Sequence, residues 1–195
     1  TPTTSPVFSS INSRVDYGVV PHFIFTGTFT GFSTFAIMKS YAVPECPGNS
    51  ITYGAGVTGS SYQWQVNTGA GYTNISNNLI YAGASADSLK LNAPPTSFYG
   101  NIYRCIVNTA FGTVYSPEFT LKFGVSWIGS VSKSWENPFN WGCGILPDEN
   151  TDVIINGAAV FTPELSVNTN IRSLKLISSA NLLIKTEAAL TIRKQ

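Results

Sequence analysis

The sequence predicts an all-β protein, and three observations carry that expectation. Short runs that alternate apolar and polar residues, separated by turns such as Gly69-Ala70-Gly71 and Asn77-Asn78, recur between Cys46 and Phe123. Beyond Asn170, apolar pairs spaced i, i+2 return every eight residues, at Leu174/Leu176, Leu182/Ile184 and Leu190/Ile192. Charged residues make up 11% of the chain, under half of the roughly 25% of a typical soluble domain. Ser, Thr, Asn and Gly take their place, as in β-rich exported proteins.

Three segments follow in order. Residues 1–45 read as an extended or strand segment, because Pro2 and Pro6 bar a helix at the start. Within it, Phe23 to Thr30 alternates apolar with small or polar residues. Phe23, Phe25 and Phe29 share one strand face, which makes this a candidate assembly strand. The segment is too small to fold alone, so it is expected to pack on the next domain or to complete one elsewhere. Residues 46–124 read as a β-sandwich with strands at Ser50–Tyr53, Ser61–Val66, Ser88–Asn92, Asn101–Asn108 and Thr113–Phe123.

Residues 125–195 change texture. Trp127, Trp135 and Trp141 fall within 15 residues, and Asp152-Val153-Ile154-Ile155 then opens the run of short apolar pairs. Strand, tight turn and strand at constant spacing describe a β-solenoid, whereas the same period also permits an antiparallel meander. Sequence spacing leaves both open, with the solenoid preferred.

The middle segment carries a particular framework: Cys46, then Trp64 18 residues on, then Cys105 41 residues later with Tyr103 two positions before it. This resembles the immunoglobulin-like sandwich. The resemblance implies a Cys46–Cys105 bridge between the sheets, with Trp64 packed on it and Tyr103 anchoring a corner. It also implies an oxidising, extracytoplasmic setting. Taken with the later phrase Trp127-Ile128-Gly129, Ser134-Trp135, Asn140-Trp141, Leu146-Pro147 and Asp152-Val153-Ile154-Ile155, the chain resembles Bacteroidota-type secreted multidomain surface proteins. In these, an Ig-like domain precedes a tryptophan-rich lead-in to a β-helical adhesin region. The rungs implied here are Ser173-Leu174-Lys175-Leu176 and Ala180-Asn181-Leu182-Leu183-Ile184. The third cysteine, Cys143, departs from that pattern and reads as a buried thiol or a link between chains. With about two rungs, the solenoid is expected to be part of a longer protein or to pair with a neighbouring subunit.

Chemistry-bearing residues are sparse. The single histidine, His22, leads into an apolar strand and reads as structural. The ten acids are scattered; a facing pair such as Asp87 and Glu118 would be needed for glycosidase chemistry. Asp148, Glu149 and Asp152 form the only acidic cluster, a weak calcium candidate whose plain alternative is a solvated loop. Phosphate-loop and zinc spacings are missing. A net charge of +1 gives no nucleic-acid footprint. No apolar run approaches the roughly 18–20 residues of a membrane span. Trp127, Trp135 and Trp141 could form a sugar-stacking platform, or plug the solenoid or a domain joint; Tyr72, Phe111 and Tyr115 are a second platform candidate.

The resulting expectation is a non-catalytic structural or adhesive protein of a bacterial surface, extracellular and without a cofactor. Its partners would be further copies of itself, in a head-to-tail filament through strand complementation, or neighbouring domains of a longer surface protein. The alternative is a carbohydrate-binding accessory region of a secreted polysaccharide-degrading enzyme.

Overall fold

The computed structural model describes residues 44–193, together with strands β1 (Arg14–Tyr17) and β2 (Val20–Phe23). These two strands pair antiparallel, Arg14 opposite Phe23. Residues 1–43 and 44–195 are separate compact units. Of the candidate assembly strand, Phe25 and Phe29 lie outside the described residues, and Phe23 ends β2.

The fold is all-β. In the second unit, β3 (Ile51–Gly54), β6 (Tyr81–Ala82) and β7 (Ser88–Leu91) form an antiparallel sheet in the order β3-β7-β6. The facing sheet holds β4 (Ser61–Asn67), β5 (Tyr72–Asn74), β8 (Ile102–Thr109), β9 (Gly112–Tyr115) and β10 (Phe119–Thr120). Its order is β10-β8-β4-β5, with β9 also on β8. Period-two alternation builds this sandwich. Along β8, Tyr103, Cys105 and Val107 are buried, meeting Trp64 from β4 and Leu89 and Leu91 from β7 in one core. The β4–β5 turn is closed by Asn67, whose Oδ1 accepts from the backbone N–H of Gly69 and Gly71.

The Cys46–Cys105 bridge is not formed. Cys46 is bonded to Cys143, 97 residues away, with Cα atoms 5.7 Å apart, and Cys105 is a free buried thiol. The physical reason lies in β3. Its inward positions are held by Ile51 and Tyr53, and the Tyr53 ring fills the space with Phe119 at 4.8 Å and Tyr103 at 5.5 Å. Cys46 precedes this strand and sits at the sandwich's end, where Glu45 bridges in parallel to Phe123. Trp64 and Tyr103 therefore pack in a core without a bridge; Trp64 lies opposite Cys105 across the ladder, and the Tyr103 hydroxyl meets that of Tyr81 at 3.3 Å. The reading of Cys143 as a free thiol falls with the same finding.

From Leu121 the chain passes directly into the third segment. Leu121 and Phe123 are buried in the sandwich core; Val125 and Trp127, at the next two inward positions, are buried in a second core. This second body is a solenoid. Strands β11 (Gly124–Trp127), β12 (Asp152–Asn156) and β15 (Ser173–Ile177) stack in parallel on one side. On the other sides β13 (Glu164–Leu165) pairs with β16 (Leu183–Ile184), and β14 (Thr169–Ile171) with β17 (Leu190–Ile192), again in parallel. Parallel pairing decides for the solenoid and against the meander.

The rung assignment needs correction. Asp152 stands opposite Ser173 and Thr169 opposite Leu190, so the coil from β12 to β15 takes 21 residues, whereas the one before it, from Gly124 to its partner Asp152, takes 28. The three apolar pairs spaced by eight are the three sides of one coil, and Ser173–Leu176 and Ala180–Ile184 are neighbouring sides rather than successive rungs. In the second coil Ile155, Leu165 and Ile171 are fully buried, whereas their register partners Leu176, Ile184 and Ile192 are 48%, 43% and 49% exposed.

Trp127, Trp135 and Trp141 fill the first coil. Trp141 meets Trp127 and Trp135 edge-on, at centroid distances of 5.1 and 4.6 Å. Buried indole N–H groups need acceptors: that of Trp127 donates to the Phe161 carbonyl at 2.7 Å and that of Trp141 to the Trp135 carbonyl at 2.9 Å. Gly129, with φ +51°, turns the chain against that Trp127–Phe161 contact, where a Cβ would collide with both partners. A sugar platform on these three tryptophans is thereby excluded: all three are buried.

Candidate functional site: the stapled joint

Three layers of contact hold the sandwich to the solenoid. The backbone supplies the first. Glu45 N–H donates to the Lys122 carbonyl at 2.7 Å, Gly124 N–H to the Glu45 carbonyl at 3.1 Å, and Asp152 N–H to the Phe123 carbonyl at 2.9 Å. Residues 122–124 thus bond to the sandwich's first residues and to the solenoid's second coil. Pro44 lies so close to Gly124 that a Cβ there would stand 2.6 Å from it. The Cys46–Cys143 disulfide is the second layer, tying the sandwich's entry to the tryptophan-rich lead-in.

Side chains supply the third layer. A single 3-10 turn, Thr96–Phe98, follows Pro94-Pro95 and projects Thr96 and Tyr99 at the solenoid. Thr96 Oγ1 donates to Asp148 Oδ2 at 2.5 Å, and the Tyr99 hydroxyl to Asp152 Oδ2 at 2.6 Å. The remaining oxygens are also engaged. Asp148 Oδ1 accepts from Asn150 N–H and the Thr151 hydroxyl, and Asp152 Oδ1 from the Ser173 hydroxyl at 2.6 Å. The Arg172 guanidinium lies 3.8 Å over the Tyr99 ring, a cation–π contact. Its Nε is buried with no hydrogen-bond partner among the described residues. Burial, and next the bond to Asp152, push the Tyr99 phenol up to about 12, with Arg172 opposing. Tyr99 is therefore a permanent donor at neutral pH.

This network occupies the Asp148 and Asp152 carboxylates of the weak calcium candidate. Asp148 and Asp152 accept from hydroxyl and backbone donors of the joint, Glu149 is exposed, and the three carboxylates do not converge. Among the described residues no group of three or more His, Cys, Asp or Glu side chains forms a metal-binding cluster. Asp87 lies just before β7, accepting from the Ser88 hydroxyl, whereas Glu118 lies between β9 and β10 and accepts from Tyr72. His22 falls in β2, within the first unit.

Sequence reasoning missed Thr96, Tyr99 and Arg172. The Pro94-Pro95-Thr96 turn was the available signal, but nothing in it names the acceptor about 50 residues away. The second platform candidate is placed differently from the tryptophans. Tyr72 on β5 and Tyr115 on β9 lie at the surface of the larger sheet, while Phe111 is fully exposed at the tip of the β8–β9 hairpin.

Fold and joint together define an all-β chain in which an antiparallel β-sandwich is fused and stapled to a parallel β-solenoid. Residues 126–195, covering the solenoid, match a family described as a domain of unknown function, DUF8693. Neither the curated proteins nor the solved structures gave a match.

Proposed function

We propose that this chain is a non-catalytic structural and adhesive segment of an extracellular protein at a bacterial surface. The joint carries this reading. A linker between independent domains is normally exposed and crossed by few contacts. Here the backbone hydrogen bonds of residues 122–124, a disulfide and the Thr96/Tyr99 to Asp148/Asp152 bonds span it instead. Such a joint turns two domains into one stiff strut, which suits a spacer that holds an adhesive surface away from a cell. The disulfide supports an oxidising compartment, where such bonds persist. Among the described residues no helix is long and apolar enough to cross a membrane.

Self-assembly is the finer part of the proposal. The half-exposed Leu176, Ile184 and Ile192 and the outer edges of β15, β16 and β17, which pair with no further strand among the described residues, would accept a strand from a neighbouring copy. Phe23, Phe25 and Phe29 of a second copy are the proposed donor.

Small-angle scattering and negative-stain microscopy test both parts on the oxidised protein. A single rigid sandwich–solenoid shape with concentration-dependent end-to-end association is expected. A broad range of sandwich–solenoid angles would overturn the strut, and a monomer at every concentration would overturn the assembly. The carbohydrate-binding alternative loses its tryptophan platform and keeps only the tyrosine face of the sandwich.

A further inference from the structure

We infer that the outer face of the larger sandwich sheet, centred on Arg104, is a binding site for a neutral pyranose oligosaccharide. The inference rests on the adhesive part of the reading above and gives it a ligand class. Arg104 stands at an outward position of β8, between the buried Tyr103 and Cys105. Its guanidinium lies 3.6 Å from the Tyr72 ring centroid and 4.4 Å from that of Tyr115. Its Nε donates to Gln65 Oε1 at 3.0 Å, and Gln65 in turn donates to Asn74 Oδ1 at 2.9 Å. The Tyr72 hydroxyl donates to Glu118 Oε1 at 2.6 Å.

Five properties of this arrangement match a sugar. Tyr115 is 55% exposed, a large ring left at the surface where a pyranose can stack its apolar C–H face. Both rings touch one guanidinium, so the aromatic surface and the hydrogen-bonding groups lie within the footprint of one or two sugar rings. Among the described residues the Nη groups of Arg104 and the second oxygen of Glu118 make no hydrogen bond, leaving planar donors and acceptors for vicinal hydroxyls. Arg104 and Glu118 also cancel in charge, which favours a neutral glycan over a polyanion. Side-chain bonds across β5, β4 and β8 hold the groups in place, so little ordering cost falls on binding.

The test is titration calorimetry of the full chain with cellohexaose, xylohexaose, mannohexaose and chitohexaose, preceded by retention on the corresponding insoluble polysaccharides. At least one is expected to bind, and Tyr115→Ala and Tyr72→Ala should each weaken that affinity tenfold or more. Arg104→Lys, which keeps the charge and loses the planar fork, should weaken it comparably. Lys90→Ala, on the outer face of the smaller sheet, should leave it unchanged. Tyr115→Trp provides a second readout, because its indole emission should shift on titration. No binding to any of the four, or binding indifferent to Tyr115→Ala, would each overturn the site. The scattering experiment uses no sugar, so a failed glycan site leaves the strut standing and a flexible strut leaves the glycan site standing.

Discussion

Cys46 is bonded to Cys143 across the joint, while Cys105, the cysteine at the centre of the sandwich, stays a thiol. Cross-linking residues 97 apart removes a large loop entropy from the unfolded chain, a stabilisation of about 4–5 kcal/mol in the chain-entropy picture. Cys46→Ala or Cys143→Ala should lower the unfolding free energy by roughly that amount, measured by urea denaturation, and reductant should do the same to the parent. In denaturant without reductant the chain should titrate one thiol, and all three after reduction. Two or more thiols before reduction would contradict the pairing. Burial raises the Cys105 thiol above its ordinary range, so it should resist alkylation until the sandwich unfolds.

The bond from Tyr99 to Asp152 should couple the two bodies energetically. A hydrogen bond to a charged acceptor contributes about 1.5–3 kcal/mol. In a double-mutant cycle of Tyr99→Phe and Asp152→Ala, a coupling of about 1–2 kcal/mol is expected. Additive losses would mean that the contact contributes nothing to the joint.

Trp141 stands edge-on to two other indoles and its N–H is satisfied inside the solenoid. Trp141→Ala should therefore cost about 3–5 kcal/mol through the cavity and the lost contacts. Hydrogen exchange should place the loss in residues 124–193 first. A loss under 1 kcal/mol, as for an exposed stacking platform, would contradict the packing described.

Glu136 links the lead-in to the second coil. Its Oε1 accepts from Ser166 N–H and its Oε2 from the Ser134 hydroxyl, both at 2.8 Å. Partial burial alone would raise this carboxyl, but the bonds from Ser166 and Ser134 outweigh it and hold the group below its ordinary value of 4.5. The folded state thus binds this proton less readily than the unfolded state. Its contribution is fully present above the ordinary Glu value and is lost as pH falls through the lower folded value. Urea midpoints measured downward from pH 6 should fall in that acid range, and Glu136→Gln should flatten this part of the slope. An unchanged slope in the variant would refute the assignment.

Much of the β-structure was legible because period-two alternation is a local property. The run around Trp64 and the Tyr103/Cys105/Val107 alternation mark their strands by themselves. Cysteine pairing was not, because spacing along a chain does not say which inward position an aromatic ring has already filled. The inward positions of β3 are taken by Ile51 and by Tyr53, whose ring packs on Tyr103 and Phe119, while Cys46 lies outside the strand. The eight-residue spacing was read correctly as strand and turn but assigned to successive rungs. The length of 21 for the coil from β12 to β15 is set by which strand lies above which, and that is a matter of pairing.

The sequence by itself determined an all-β chain, low in charge, with a sandwich in its middle and short repeated strands after it. Alternation, turn residues and composition act over a few residues at a time. Only the tertiary structure decided the partner of Cys46, the burial of the three lead-in tryptophans and the placement of Tyr72, Arg104 and Tyr115 on one face. Each of those depends on groups tens of residues apart competing for the same volume, and that competition is resolved only when the sheets close on one another.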